Sequence, residues 1–284
     1  MIILVALLYA GICVDGLNNN PDKRIINGWR AKAMDYPWTA MMKTVIHISE
    51  NSHLMSTYGA TIISERWLLT AAHSFSDGSE KRQTEREHLP RENIIEGNYR
   101  GSNGHKDEVF HFHVEKVILH PKFIANQKTN INYDIALVKL TGSIPLNDSR
   151  VAAVKLPDLK KGYHWPPYNA QCAISGWGCT RKDGFGQEIA HAVWMKTMGK
   201  QECNNTYDFQ FEWKPEMRFC AKHYKSGGAT CSGDSGSGLV CKHGSQYYIV
   251  GILSTGSGEP EKLPSFFVRV SYFLDWINHI IQTD

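Results

Sequence analysis

Apolar residues gather in short runs along this chain, at Thr39 to Ile48, Gly59 to Ser64, Val109 to Leu119 and Gln246 to Leu253, with clusters of Gly, Asn, Pro and Ser between them. Runs of that length, bounded by turn-forming residues, predict many short β-strands arranged as a sandwich or barrel. In one run the alternation is explicit. Phe110, Phe112 and Val114 are separated by His111 and His113, the period of two expected of a strand with one buried face. The C-terminus follows a different rule: Phe273, Ile277, Ile280 and Ile281 recur at helical spacing after Ser271, whose hydroxyl suits an N-cap, so a terminal helix is predicted. The stretch Asp77–Asn93 is charged enough to be a surface loop.

A chain of 284 residues can form one large all-β domain or two smaller ones with a sizeable core. Its 42% hydrophobic fraction fits a soluble globular protein, and a net charge of +3, from 31 basic against 28 acidic residues, is too small and too dispersed to argue for nucleic-acid or membrane binding. Ile2 to Ala10 is nearly all apolar and is followed by small residues, the pattern of a secretory signal core, although no basic residue precedes it. The run is too short to span a bilayer; a buried N-terminal strand or a short anchor are the alternatives. Cleavage after Cys13 or Gly16 removes Cys13, and residues 1–16 are taken as the leader. Seven cysteines, an odd number for an oxidising compartment, then become six: Cys172, Cys179, Cys203, Cys220, Cys231 and Cys241. Six can pair completely, in any of about 15 connectivities.

The chemistry enters at Gly233-Asp234-Ser235-Gly236, far downstream of Leu69-Thr70-Ala71-Ala72-His73, with Asp134 between them. A serine hydroxyl is a weak nucleophile near neutral pH; it needs an imidazole to take its proton and a buried carboxylate to orient that imidazole. His73 would be general base and then general acid, Asp134 its orienting partner and Ser235 the nucleophile. Glycines around Ser235 permit a tight turn, and they also let the N–H groups of Gly233 and Ser235 converge on a developing oxyanion. His111 and His113 have the spacing of a metal-binding pair but no second pair or cysteine nearby, so a solvated strand face is the better reading. Neither a metal nor a cofactor is expected. Asn147-Asp148-Ser149 and Asn204-Asn205-Thr206 are acceptor sequons for glycosylation at Asn147 and Asn204.

From Arg24 onward the chain resembles the chymotrypsin/trypsin family of serine proteases, whose order of histidine, aspartate and serine it shares. The resemblance is carried by Arg24-Ile25-Ile26-Asn27-Gly28, Trp67-Leu68-Leu69-Thr70-Ala71-Ala72-His73, Asn132-Tyr133-Asp134-Ile135-Ala136-Leu137, Ser175-Gly176-Trp177-Gly178 and Phe273-Leu274-Asp275-Trp276-Ile277. It implies an all-β fold of two packed six-stranded antiparallel barrels with a C-terminal helix. His73 and Asp134 would belong to the first barrel and Ser235 to the second, with the crossover near Pro145 to Lys161. It also implies an activation peptide, residues 17–24, ending at Lys23-Arg24, and a protease domain over 25–284. Cleavage after Arg24 would free the ammonium of Ile25 to pair with Asp234 and order the oxyanion loop. The same resemblance pairs Cys172 with Cys241 and Cys203 with Cys220. Cys179 with Cys231 remains, a departure, because the family's usual partner for Cys231 falls where this chain has Glu259; two free thiols are the alternative.

Other departures concern specificity. Ala229 stands where a trypsin-like pocket has an aspartate, and an uncharged base cannot pair with Lys or Arg. Thr230, Ser254, Gly256 and Ser265 complete the expected pocket, and Ser254 also resembles the family serine that bonds the aspartate. Thr255 replaces a tryptophan, Tyr58 and Ser74 occupy the places of a disulfide beside the histidine, Ser237-Gly238 replaces Gly-Pro, and Glu259 or Glu261 offers an unanticipated acid. The resulting expectation is a secreted, monomeric serine endopeptidase with chymotrypsin-like preference for aromatic or large apolar side chains. Its partners would be protein or peptide substrates, an activating protease and protein inhibitors. Two competing readings are a catalytically silent relative that works by binding and a general secreted esterase.

Overall fold

In the computed structural model the described residues are 28–31, 33–49, 52–75, 94–97, 110–124, 132–158, 165–179, 186–187, 189–206, 214–224, 229–256 and 263–284. The expected leader, the activation peptide with Arg24, Ile25, the loop Asp77–Asn93, Glu259 and Glu261 lie outside them.

After β1 (Trp29–Arg30), the first half contains β2 (Thr39–Ser49), β3 (Ser52–Ile62), β4 (Trp67–Thr70), β5 (Ile94–Gly97), β6 (Phe110–Leu119) and β7 (Ala136–Leu140). These six close into a barrel in the order β2-β3-β4-β7-β6-β5. The second half contains β8 (Gln171–Gly176), β9 (His191–Thr197), α1 (Lys200–Thr206), β10 (Arg218–His223), β11 (Gly238–His243), β12 (Gln246–Thr255) and β13 (Ser265–Arg269), followed by α2 (Leu274–Thr283). Its sheet runs β1-β9-β10-β13-β12-β11-β8 and curls until β8 pairs with both β11 and β9. The outcome is the all-β, two-barrel architecture with a terminal helix that the strand pattern and the resemblance anticipate.

The two-residue period of each strand decides which core a side chain joins. On β4, Leu68 enters the first barrel's core with Met42, Ile62, Val138 and Leu140, whereas its neighbour Leu69 joins Leu137, Trp177, Val240 and Val268 in a cluster spanning both halves. Ile174, Val193, Met195, Phe219, Leu239, Val250 and Phe267 fill the second interior. Each fully buried aliphatic or aromatic side chain contributes about 1.5–3 kcal/mol, so the shared cluster holds the halves in fixed register. β6 keeps the predicted alternation: Phe110, Phe112 and Val114 pack inward while His111 and His113 are exposed.

The helix prediction is right in its stripe and wrong in its start. Leu274 and Ile277 are buried, but the residue preceding the helix is Phe273, which has no side chain to cap it, and Ser271 sits upstream in a 3-10 turn, Val270–Phe273. That turn buries Val270 and Phe273, and the Ser271 hydroxyl donates to the Trp165 carbonyl at 3.3 Å instead of capping. At the other end, Lys116 and Lys139 donate to Asp284 at 2.7 Å each and tie the helix to β6 and β7. Helix α1 has no counterpart in the sequence reading; at seven residues it is too short to display a period, and a disulfide from Cys203 to Cys220 pins it to β10. The other bridges join Cys172 to Cys241, directly opposed on β8 and β11, and Cys179 to Cys231.

Candidate active site

β4 and β7 are antiparallel neighbours with Thr70 opposite Ala136. His73, three residues past Thr70, and Asp134, two before Ala136, therefore emerge at the same end of the barrel. His73 rides on a 3-10 turn, Ala72–Phe75, and its Nδ1 lies 2.7 Å from Asp134 Oδ2. The His73 backbone N–H donates to Oδ1 at 2.8 Å, and the Ser254 hydroxyl donates to Oδ2 at 2.6 Å. Asp134 is 3% exposed, so its charge sits in a dry, hydrogen-bonded setting.

The glycine-rich turn is gripped from both barrels. The carbonyl of Ser235 accepts from the N–H of Gly59 on β3 at 2.8 Å, and Gly236 N–H donates to Leu253 on β12 at 2.8 Å. Leu253 precedes Ser254, the hydroxyl partner of Asp134, so the Ser235 turn is tethered to the strand that carries Ser254 and to β3, the neighbour of the strand leading to His73. Asp234 and Ser237 donate their N–H groups to carbonyls within the turn, whereas among the described residues those of Gly233 and Ser235 make no hydrogen bond. Gly233 and Gly236 have φ of 96° and 83°, a region costly for other residues.

At Gly236 space is equally restrictive, because a Cβ would lie 2.2 Å from Thr70 Oγ1 and 2.3 Å from the Gly59 carbonyl. Gly236→Ala is expected to cost about 2–5 kcal/mol from backbone strain and overpacking together. A urea unfolding curve reads this directly; a midpoint unchanged from wild type would contradict it.

Electrostatics follow from the burial. Burial disfavours the His73 imidazolium, but the Asp134 charge and hydrogen bond outweigh it, so the net effect raises the His73 pKa. For Asp134 burial pushes upward, and the His73 charge with the His73 and Ser254 hydrogen bonds overcomes it, holding the carboxyl below its ordinary range. Asp234 differs. It is 1% exposed and accepts from the N–H groups of Gly178 and Cys231 at 2.8 and 2.9 Å, yet burial still raises its pKa to about 6. Among the described residues no cation offsets that charge.

Ala229, Thr230 and Ser265 are buried, and the hydroxyls of Thr230 and Ser265 meet at 2.6 Å. Gly256 is exposed beyond β12, and a Cβ there would meet nothing nearer than Thr230 Oγ1 at 3.7 Å. None of these four residues carries a charge. Where the sequence lacks the disulfide beside the histidine, the Tyr58 ring packs edge-on to His73 with centroids 6.4 Å apart, and Ser74 is buried with its hydroxyl unpartnered among the described residues.

Arg218 escaped the sequence reading. It is fully buried on β10, and its Nη2 donates to Thr255 Oγ1 at 3.2 Å. An arginine between Met217 and Phe219 carries no motif and interrupts an otherwise apolar stretch, so only its three-dimensional surroundings mark it.

The family model for trypsin matches residues 25–277. A trypsin of Phaedon cochleariae is 33% identical over 265 residues, which cover 92% of this chain and 90% of that protein.

Proposed function

Since this chain belongs to the trypsin family and is a serine endopeptidase, we propose that it hydrolyses peptide bonds with His73, Asp134 and Ser235, after activation by cleavage behind Arg24. The observation that carries this reading is the hydrogen-bonded series from Ser254 through Asp134 to His73, set beside a turn whose Gly233 and Ser235 N–H groups find no acceptor among the described residues.

In the reaction, Ser235 Oγ attacks the scissile carbonyl carbon as His73 Nε2 takes its proton. His73 Nδ1–H keeps donating to Asp134, whose charge stabilises the imidazolium without receiving the proton. The carbonyl oxygen becomes an oxyanion at the N–H groups of Gly233 and Ser235, each such donor being worth about 3–4 kcal/mol in the transition state. Collapse breaks the C–N bond, and His73 hands its proton to the departing amine. Water then attacks the acyl carbon as His73 Nε2 accepts its proton; the Ser235 Oγ–acyl bond breaks, Oγ takes that proton from His73, and the carboxylic acid product leaves.

Residues 1–16 act as a secretory leader, 17–24 as the activation peptide and 25–284 as the protease domain of a monomeric, extracellular enzyme. Among the described residues no helix is long and apolar enough to cross a membrane. The exposed Asn147 and Asn204 are the glycosylation sites. Protein or peptide substrates follow from the family; an activating protease and protein inhibitors are the further partners. All six cysteines kept after leader removal serve as disulfides in an oxidising compartment.

The uncharged pocket of Ala229, Thr230, Gly256 and Ser265, with Ser254 at its edge, favours aromatic or large apolar side chains. A peptide library exposed to the cleaved protein should be cut chiefly after Phe, Tyr, Leu or Met. Cutting chiefly after Lys or Arg would refute the specificity. No cutting of any peptide by folded, cleaved protein would refute catalysis and favour a binding role.

A further inference from the structure

We propose that Arg218 is a positioning residue of this site: a buried counter-ion of Asp134 whose charge also bears directly on His73, so that the working pH range of the triad is set from outside it. The proposal rests on the catalytic reading of His73, Asp134 and Ser235 given above.

Three contacts place Arg218 there. Lys214, at the start of the turn into β10, donates its N–H to Asn132 Oδ1 at 3.4 Å, and Arg218 N–H donates to the Lys214 carbonyl at 3.0 Å, so this turn sits against the loop that presents Asp134. From the other side, Arg218 Nη2 reaches Thr255 Oγ1 at 3.2 Å, and Thr255 follows Ser254, which bonds Asp134 Oδ2 at 2.6 Å. The guanidinium also lies over the Phe266 ring, 5.1 Å from its centroid. It thus sits between the two segments that clamp the aspartate.

A guanidinium offers five N–H donors and is a poor candidate for apolar packing. Here Nε and Nη1 have no hydrogen-bond partner among the described residues, and the side chain has no exposure. A buried cation with so few hydrogen bonds requires a compensating negative charge, and the carboxylate acting on it is Asp134. Burial draws the Arg218 pKa down to about 10 against that attraction, which leaves a full cation at neutral pH. The coupling extends to His73, where Arg218 opposes protonation and Asp134 favours it. Asp134 bonds the His73 ring and the edge of the Tyr58 ring packs against it, and the charges that bear on it are Asp134 and Arg218. Thr255, Phe266 and Arg269, whose guanidinium bonds the Arg218 carbonyl at 3.4 Å, surround Arg218, and the carboxylate whose charge bears on it is Asp134.

The sign follows from this arrangement. A cation near an imidazole disfavours the imidazolium, so removing it raises the His73 pKa, and His73 remains protonated to higher pH. The acid limb of kcat/KM moves up with it.

The test compares wild type, Arg218→Met and Arg218→Lys, all cleaved after Arg24. It uses the pH profile of kcat/KM on a peptide ester and an NMR titration of the His73 imidazole. Arg218→Met should move both the limb and the imidazole midpoint upward by about half a pH unit or more, and Arg218→Lys should restore them towards wild type. No movement in Arg218→Met, or equal movement in both variants, would overturn the proposal, since the second result means that packing and not charge is responsible. If Arg218→Met does not fold, Arg218→Gln replaces it; if neither neutral variant folds, a wild-type midpoint in Arg218→Lys supports the proposal and a displaced one overturns it. An inactive wild type whose His73 midpoint still responds to Arg218 would remove the catalytic reading and leave the charge coupling standing.

Discussion

Asp134→Asn should lower kcat about 10⁴-fold with KM and fold nearly unchanged; this is the magnitude already known for the corresponding substitution in this family. The reason lies in the proton on His73. Asp134 Oδ2, 2.7 Å from Nδ1, can only accept, so the neutral imidazole carries its proton on Nδ1 and leaves Nε2 bare, which in the proposed mechanism takes the Ser235 proton. Oδ2 also accepts from Ser254, and Oδ1 accepts from the His73 backbone N–H. An asparagine satisfies that backbone donor with its oxygen and turns its NH₂ towards Nδ1. The ring must then accept at Nδ1 and carry its proton on Nε2, where it cannot take another from serine. Stopped-flow hydrolysis of a peptide ester, together with an unfolding curve, separates lost chemistry from lost fold. A variant within tenfold of wild type would show that Asp134 does not set the tautomer.

The second large effect concerns Asp234. Its carboxylate is buried, has two backbone donors and is held at a pKa of about 6 by desolvation. Under the activation proposal the new Ile25 ammonium supplies the missing charge, and its pairing with Asp234 orders the turn of Gly233 and Ser235. Breaking a buried ion pair by removing one partner costs about 3–5 kcal/mol. Asp234→Asn, cleaved after Arg24, should therefore retain the reactivity of the uncut chain, on the order of 10²–10³ below cleaved wild type. The rate of labelling by a fluorophosphonate measures this, with Ser235→Ala as the blank. Full labelling of uncut wild type, or equal labelling of cleaved Asp234→Asn and cleaved wild type, would dispose of the charge-switch idea.

Much of this molecule is legible from local sequence, and the exceptions share a cause. Strands such as β6 declare themselves because alternating apolar and polar residues match a two-residue backbone period, and the terminal helix does so through its 3.6-residue stripe. Ser271 misled because a cap is defined by where the chain turns, and the burial of Val270 and Phe273 moved that point by two residues. Helix α1 is held by the bridge from Cys203 to Cys220 more than by its own propensity, so seven residues gave no signal. The identities of His73, Asp134 and Ser235 could be named from short motifs, since each motif combines a reactive side chain with the backbone that presents it.

Sequence by itself determined the strand and helix periods, the apolar surfaces available for burial and the types of reactive group, because these reside in single residues and near neighbours. Tertiary structure alone decided that Ser254 and the backbone of His73 both bond Asp134, that Gly59 grips the Ser235 turn and that Arg218 is fully buried with its guanidinium on Thr255. Those relations join residues 37 to 176 positions apart in the chain. Their energies depend on distance and on the exclusion of water, and both exist only once the two barrels have closed on each other.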